Sequence, residues 1–345
     1  MITAALPTHT PALFSDAVER AAALLRAGEL VALPTETVYG LAANAFNPAA
    51  VARIYEVKGR PSRNPIIVHV AGLELARDCV AEWTPLADNL ARAFWPGPLT
   101  LVLPRSARIS DVVTAGGQTV GVRWPSHPFI QAVIRACGFP LAAPSANPAN
   151  QVSPTNAEHV RKAFDGKIPL IVDGGQSQVG LESTVLDLAS APPRLLRPGM
   201  VHVESLLAAI GNAELRLPAP SRSGGKESPL RSPGLLPKHY APKAKLEIRS
   251  WLNEADLEAQ MKRLPFSRER ICVIAHSRIP VAGNFARVAV LPHDAEAYAR
   301  ALYAELHQCD ESGAEMIIVE APPAEDAWRA ITDRLTRAAG PDSSS

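Results

Sequence analysis

Ten side chains in this 345-residue sequence are of types that bind or turn over small anionic ligands: Thr35, Lys58, Arg60, His69, Thr119, Arg123, Ser145, Asn147, Ser183 and Arg197. Four are cations, and the others offer hydroxyls, an amide and an imidazole. Two unit charges about 4 Å apart attract by roughly 4 kcal/mol at an effective dielectric near 20, so clustered cations can hold a triphosphate without a glycine-rich phosphate loop. The more familiar phosphate and hydrolase signatures are missing. There is no G-x-G-x-x-G, and Gly224-Gly225-Lys226-Glu227-Ser228 lacks both the Walker A spacing and the strand that should precede it. No G-x-S-x-G surrounds Ser145 or Ser183, and no H-E-x-x-H or Cys/His cluster proposes a zinc site.

These residues fall at the ends of short elements. A strand at Leu30 to Leu33 stops at Pro34, which leaves Thr35 at a strand exit, where open α/β sheets place ligand contacts. Asn47-Pro48 opens a helix that runs to Gly59, so Lys58 and Arg60 flank its C-terminus; taken singly, either cation also suits the helix dipole there. Ile66 to Val70, Leu99 to Leu103, Val120 to Trp124, Leu141 to Ala143, Leu170 to Val172, Ser183 to Leu188 and Arg194 to Leu196 read as further strands. Helices are expected from a Ser15 cap through Ala27, from about His127 to Cys137, and near Asn156 to Phe164. This alternation predicts an α/β domain with a mixed, twisted sheet and flanking helices.

From Asn212 to Pro242 the composition shifts to proline, glycine and serine, the mark of a semi-extended linker. Beyond it, four strands at Leu246 to Ile248, Ile271 to Ala275, Val288 to Leu291 and Met316 to Val319 alternate with three helices, which predicts a small Rossmann-like α/β domain. The expected boundaries are 12–210, 211–243 for the linker, and 244–340.

The 35 basic side chains are matched by 34 acidic ones, which removes the prior for a nucleic-acid backbone as main partner. Aromatics at 5% offer few platforms for stacking single strands, so weak or no RNA binding is expected. Four cysteines, Cys79, Cys137, Cys272 and Cys309, form no CxxC pair and read as buried thiols of a reducing compartment. No window approaches the roughly 20 apolar residues of a spanning helix, so no membrane association and a cytoplasmic location are expected.

Five separated motifs carry a resemblance. Pro34-Thr35-Glu36-Thr37-Val38-Tyr39-Gly40-Leu41, Lys58-x-Arg60-Pro61 with Asn64-Pro65 and His69, Trp95-Pro96-Gly97-Pro98, Ser145-x-Asn147 and Glu182-Ser183-Thr184 are similar, in order, to the YrdC family. Ser232-Pro233-Gly234 and Lys238-His239-Tyr240-Ala241-Pro242, with the second domain, resemble its long two-domain form. The resemblance implies an ATP-dependent nucleotidyltransferase. It would make L-threonylcarbamoyl-AMP and pyrophosphate from L-threonine, bicarbonate and ATP, as the first step of N6-threonylcarbamoyladenosine formation at position 37 of tRNA.

On that resemblance, Lys58 and Arg60 are the catalytic cations on the ATP phosphates, helped by Ser62, Thr119, Ser145, Asn147, Ser153 and Arg197, with Tyr240 reaching the nucleotide from a linker that closes as a lid. Thr35, His69, Arg123, Ser183 and main-chain groups near Ala143 would hold threonine, Arg123 gripping its carboxylate. Mg²⁺ is expected on the ATP phosphates with no metal ligand from protein side chains, and no organic cofactor is expected. The product would pass to the tRNA threonylcarbamoyl transferase complex, and a monomer is expected. Two other classes compete: an RNA-binding module, and a carbamoyl-transferring maturation protein sharing the domain. The latter needs zinc-finger-like cysteine pairs that this sequence lacks.

Overall fold

Helix start signals and strand pairing together set the first domain. Thr10, not Ser15, caps the first helix, accepting from Leu13 N, with Pro11 in the first turn. A hydroxyl followed by proline is the stronger start signal, since proline has no N–H to leave unpaired there. The structure, a computed structural model, describes residues 2–211, 214–218, 239–281 and 283–340. The chain divides into two compact units, Met1–Ala149 with Ser153–Leu235, and Asn150–Val152 with Leu236–Ser345.

Among its described residues the first unit carries ten strands: β1 (Ala4–Pro7), β2 (Val31–Leu33), β3 (Gly40–Asn44), β4 (Val68–His69), β5 (Leu99–Pro104), β6 (Thr119–Arg123), β7 (Leu141–Ala142), β8 (Leu170–Asp173), β9 (Thr184–Asp187) and β10 (Arg194–Arg197). They form one mixed sheet in the order β1-β8-β2-β3-β7-β4-β6-β5-β9-β10. Its helices are α1 (Pro11–Arg26), α2 (Pro48–Lys58), α3 (Leu73–Cys79), α4 (Pro85–Phe94), α5 (Asp111–Thr114), α6 (Pro128–Cys137), α7 (Ala157–Phe164) and α8 (Val203–Ile210). Strand β3, Gly-Leu-Ala-Ala-Asn, has no β-branched residue and escapes a propensity reading. Antiparallel pairing to β2 and β7 on either side makes it a strand. Strand β1 and helices α3, α4, α5 and α8 were likewise not expected from the sequence.

Side-chain alternation assigns each face of this sheet. Val31, Leu33, Ala42, Leu141, Ala143, Leu170 and Val172 pack against α1 and α6 through Ala17, Ala21, Leu25, Phe129 and Val133. On the opposite face Ala32, Leu41, Ala43, Val68, Leu101, Val120, Val122, Ala142 and Leu186 join a larger core with Ile54 of α2, Leu90 of α4, Val160 of α7 and Leu206 of α8. Since successive residues of a strand point to opposite faces, His69, Thr100, Thr119 and Arg123 all fall on the α1/α6 side of the sheet. No residue of β5, β6 or β9 belongs to the α1/α6 core. Among the described residues, Val102, Val185 and Leu196 form a small apolar cluster there. That part of the face is therefore left to polar residues.

The second unit holds β11 (Lys245–Arg249), β12 (Ile271–Ala275), β13 (Arg287–Val290) and β14 (Met316–Glu320), with α9 (Glu254–Met261), α10 (Ala295–Glu311) and α11 (Arg329–Ala339). All its pairings are parallel, in the order β11-β14-β12-β13. Every residue of β12 and β14 is buried, as central parallel strands require. This is the Rossmann-like layer the sequence predicts. The stretch 219–238, most of the expected linker, lies outside the described residues. Among the described residues no helix is long and apolar enough to cross a membrane.

Candidate active site

Two groups of polar residues gather around this sheet. The first is organised by the turn after β2. Thr35 Oγ1 accepts from the N–H groups of Thr37 (3.2 Å) and Val38 (3.3 Å) and donates to the Val38 carbonyl at 2.6 Å, closing a hydroxyl-stabilised turn. The turn is held from outside, since Ser177 Oγ donates to the Thr35 carbonyl and Val179 N to the Glu36 carbonyl. A Cβ on Gly174 would stand 2.6 Å from Pro34 Cγ, so only glycine allows the chain to pass this close.

Arg123, at the end of β6, reaches into this turn. Its Nη1 donates to Thr37 Oγ1 at 2.9 Å, its Nε donates to the Gly97 carbonyl at 3.2 Å, and its Nη2 lies 2.7 Å from Glu36 Oε1. His69 is its register partner on the neighbouring parallel strand β4. Burial and the Arg123 charge push the imidazole well below its ordinary range, so His69 is neutral, and its Nδ1 is buried without a hydrogen-bond partner. Ser183 joins from the start of β9: its hydroxyl pairs with Thr100 Oγ1 at 2.8 Å and accepts from Arg197 Nη2 at 3.1 Å. Next to it, the Ser153 hydroxyl donates to Glu182 Oε1 at 2.6 Å.

The second group forms around the end of α2. Asn47 Oδ1 caps that helix, Pro48 fills its first turn, and Gly59 at φ 60° ends it in a left-handed turn that allows Arg60 N to reach back to the Tyr55 carbonyl. The chain reversal aims Lys58 inward, where its Nζ donates to the Ser145 carbonyl at 2.5 Å and to the Asn147 carbonyl. Lys58 is buried, and that burial, then the nearby Arg60 charge, lowers its pKa well below the usual lysine range. An ammonium has three donors, so two carbonyl bonds leave the third available. Arg60 is anchored by the Asn64 carbonyl at 3.0 Å and the Pro65 carbonyl at 2.6 Å.

Strand register measures the separation of the two groups. His69 is paired with Leu141, whereas Ser145, which bridges to Gly40, lies four residues further along the same chain direction. At about 3.3 Å per residue this is roughly 13 Å. Thr119 begins β6 and Arg123 ends it, so Thr119 is displaced by the same four residues in the same direction. Thr119 and Ser145 thus lie at one end of the sheet, with Lys58 beside Ser145 through its carbonyl, and His69 and Arg123 lie at the other; the Thr35 turn leaves β2 at the Ser145 end, since Leu33 pairs with Gly40, and reaches Arg123 through Thr37. Ala143 stands between them, its N–H bonded to the Ile67 carbonyl and its Cβ 3.3 Å from where a side chain on Gly40 would begin.

Four further residues expected at the nucleotide have these surroundings. Arg197 is buried against Ser183, and Ser153 is buried against Glu182. Ser62 is exposed and lines a separate hollow with Tyr55, Glu56 and Asp111. Tyr240 is buried within the second unit, its ring 5.2 Å from the Arg334 guanidinium and stacked at 6.1 Å on Tyr303. Three residues of the site escaped sequence reasoning: Glu36, Thr37 and Thr100. Glu36 and Thr37 lie inside the first motif, where an acid between two turn threonines was the available signal. Thr100 gave none, because it is defined only by its place beside Ser183.

Residues 23–199 match the Sua5_yciO_yrdC family, described as "Telomere recombination", and residues 201–340 match the Sua5_C family, described as "Threonylcarbamoyl-AMP synthase, C-terminal domain". The chain belongs to the Sua5/YciO/YrdC family, in the form that carries this additional C-terminal domain. It is similar to the threonylcarbamoyl-AMP synthase of Bacillus subtilis (strain 168), at 41% identity over 98% of this chain and 96% of that protein. The corresponding protein of Pyrococcus abyssi (strain GE5 / Orsay) is 39% identical over 93% of both. The crystal structure of P. abyssi Sua5 complexed with L-threonine superimposes with a TM-score of 0.88, at 37% identity over 98% of each chain.

Proposed function

We infer that this protein is a threonylcarbamoyl-AMP synthase: it joins L-threonine, bicarbonate and ATP into L-threonylcarbamoyladenylate and releases pyrophosphate. One observation carries the reading. A neutral histidine and a buried arginine that holds a turn of hydroxyls lie in the same unit as a buried lysine bonded to the carbonyls of Ser145 and Asn147, in a chain that is similar throughout its length to threonylcarbamoyl-AMP synthases. The first group suits a small hydroxy amino acid and the second a polyphosphate.

At the threonine end, Arg123 would grip the carboxylate, Thr35 and Ser183 the hydroxyl, and neutral His69 would accept a hydrogen bond, with the main chain at Ala143 between substrates. At the other end Lys58 offers its third N–H, and Arg60 its charge, to phosphate oxygens; Ser145, Asn147 and Thr119 line the same end. Ser153 and Arg197 would act from the Ser183 side. For Ser62 and Tyr240 a nucleotide role rests on the resemblance alone.

Chemically, the threonine amine captures carbon dioxide or bicarbonate as a carbamate, whose oxygen attacks the α-phosphorus as pyrophosphate leaves. Such a reaction calls for positioning and charge neutralisation more than for a protein nucleophile. Among the described residues no cluster of three or more His, Cys, Asp or Glu side chains forms a metal cage. Mg²⁺ would enter as part of the ATP substrate, held by its phosphates. The product would be consumed by the tRNA threonylcarbamoyl transferase complex in the cytoplasm, the protein acting as a monomer. Pyrophosphate release in the presence of ATP and Mg²⁺, with threonine or bicarbonate omitted in turn, tests the reading. Release without threonine contradicts it.

A further inference from the structure

Glu36 stands out among the buried charges of the first unit. It is 6% exposed, and Arg123 at 3% is its ion-pair partner. Burial acts to raise the Glu36 carboxyl, but the Arg123 charge beside it holds it below the ordinary range, so it is ionised. Their 2.7 Å approach is a charge contact rather than an aligned hydrogen bond. The Ser126 N–H lies close enough to favour the anion, yet neither Glu36 oxygen nor Arg123 Nη2 has a donor or acceptor in hydrogen-bonding geometry. His127, which caps α6 through Phe129 N, is the other titratable group near this carboxylate.

An ionised carboxylate offers about four acceptor positions, and burying them unfilled is costly. The neighbouring unfilled atoms are a guanidinium N–H of Arg123 and Nδ1 of His69. The ligand that completes all three must bring an acceptor pair to Arg123 and strong donors to Glu36. A zwitterionic α-amino acid does both, with its carboxylate and ammonium one carbon apart.

We propose that Glu36 recognises the ammonium of threonine while Arg123 holds the carboxylate, so the pair forms a clamp that demands a free α-amino acid. This rests on the reading of the Arg123 end as the threonine site. The clamp explains why Glu36 sits inside the turn built by Thr35 and Thr37: the turn fixes the carboxylate beside Arg123 without using up its oxygens. It also separates amine recognition from hydroxyl recognition, which falls to other residues.

The test crosses protein variants with ligand variants, by calorimetry on the full chain. L-Threonine is compared with (R)-3-hydroxybutanoate, which lacks the ammonium, and with L-threoninol, which lacks the carboxylate. Glu36→Gln is expected to shrink the preference for threonine over (R)-3-hydroxybutanoate by roughly 10- to 100-fold, the range for a hydrogen bond to a charged group. Affinity for (R)-3-hydroxybutanoate itself should hold or rise. If both ligands lose affinity equally, Glu36 serves only to hold Arg123 and the proposal is overturned; an unchanged preference overturns it too. Should wild-type protein bind threonine and threoninol alike, the threonine reading fails, and the clamp with it. If Glu36→Gln melts below the assay temperature, Glu36→Asp keeps the charge but retracts it, and the same selective loss is expected.

Discussion

Replacing Arg123 by lysine keeps a positive charge at the end of β6 and removes the planar fork. In the wild-type structure that fork divides its donors among Gly97, Thr37 and the side facing Glu36. Lysine can satisfy one of these at a time with a point charge, so a bidentate grip on a carboxylate is reduced to one contact. The loss of one charge-assisted hydrogen bond is about 1.5–3 kcal/mol, or roughly 10- to 150-fold in affinity for L-threonine. Lys58 is held by the Ser145 carbonyl and Arg60 by the Asn64 and Pro65 carbonyls, away from the groups that Arg123 bonds, so affinity for ATP with Mg²⁺ should change little. Calorimetric titration of folded Arg123→Lys with each ligand reads both numbers. Unchanged threonine affinity, or an equal loss for ATP, refutes the separate roles of the two groups.

Lys58→Met should abolish most pyrophosphate release, by about 100-fold or more, while the melting temperature falls only modestly, because an apolar chain of similar length replaces a buried ammonium. Normal turnover by the folded variant removes Lys58 from the phosphate site. The His69 pKa is well below 6.5, so the unfolded chain takes up a proton near that pH that the folded protein refuses. The associated stability is whole above about pH 6.5 and declines as the pH drops toward the folded value, and the decline should flatten in His69→Gln; parallel melting curves for the two proteins between pH 7 and pH 5 contradict this. Gly174→Ala brings a Cβ to 2.6 Å from Pro34, and should destabilise by about 1–3 kcal/mol and weaken threonine more than ATP. Serine differs from threonine by one methyl, so competition assays should show a preference of only about 10- to 150-fold for threonine.

Much of the scaffold was legible because it is local. The Asn47-Pro48 start and Gly59 stop of α2 are read from neighbouring residues, and so are the apolar runs that become β5, β8 and β12. Strand β3 was invisible, since its alanines become a strand only between β2 and β7. The site was legible as residue types, and the family resemblance assigned most of their roles. Its geometry was not: strand order places β4 beside β6, and nothing local announces that His69 and Arg123 will be register partners. Arg197 and Ser153 show the same limit, because their neighbour Ser183 is fixed by β9 pairing with β5. Glu36 was overlooked because an acid beside two turn threonines usually reads as turn chemistry.

The most direct measurement of the central claim is pyrophosphate production by the purified full-length protein with ATP and Mg²⁺, with and without L-threonine and bicarbonate. The synthase reading predicts release only when threonine and bicarbonate are both supplied, with an adenylate of threonylcarbamate appearing in equal amount by mass spectrometry. Pyrophosphate released independently of threonine, or no such adenylate, contradicts it.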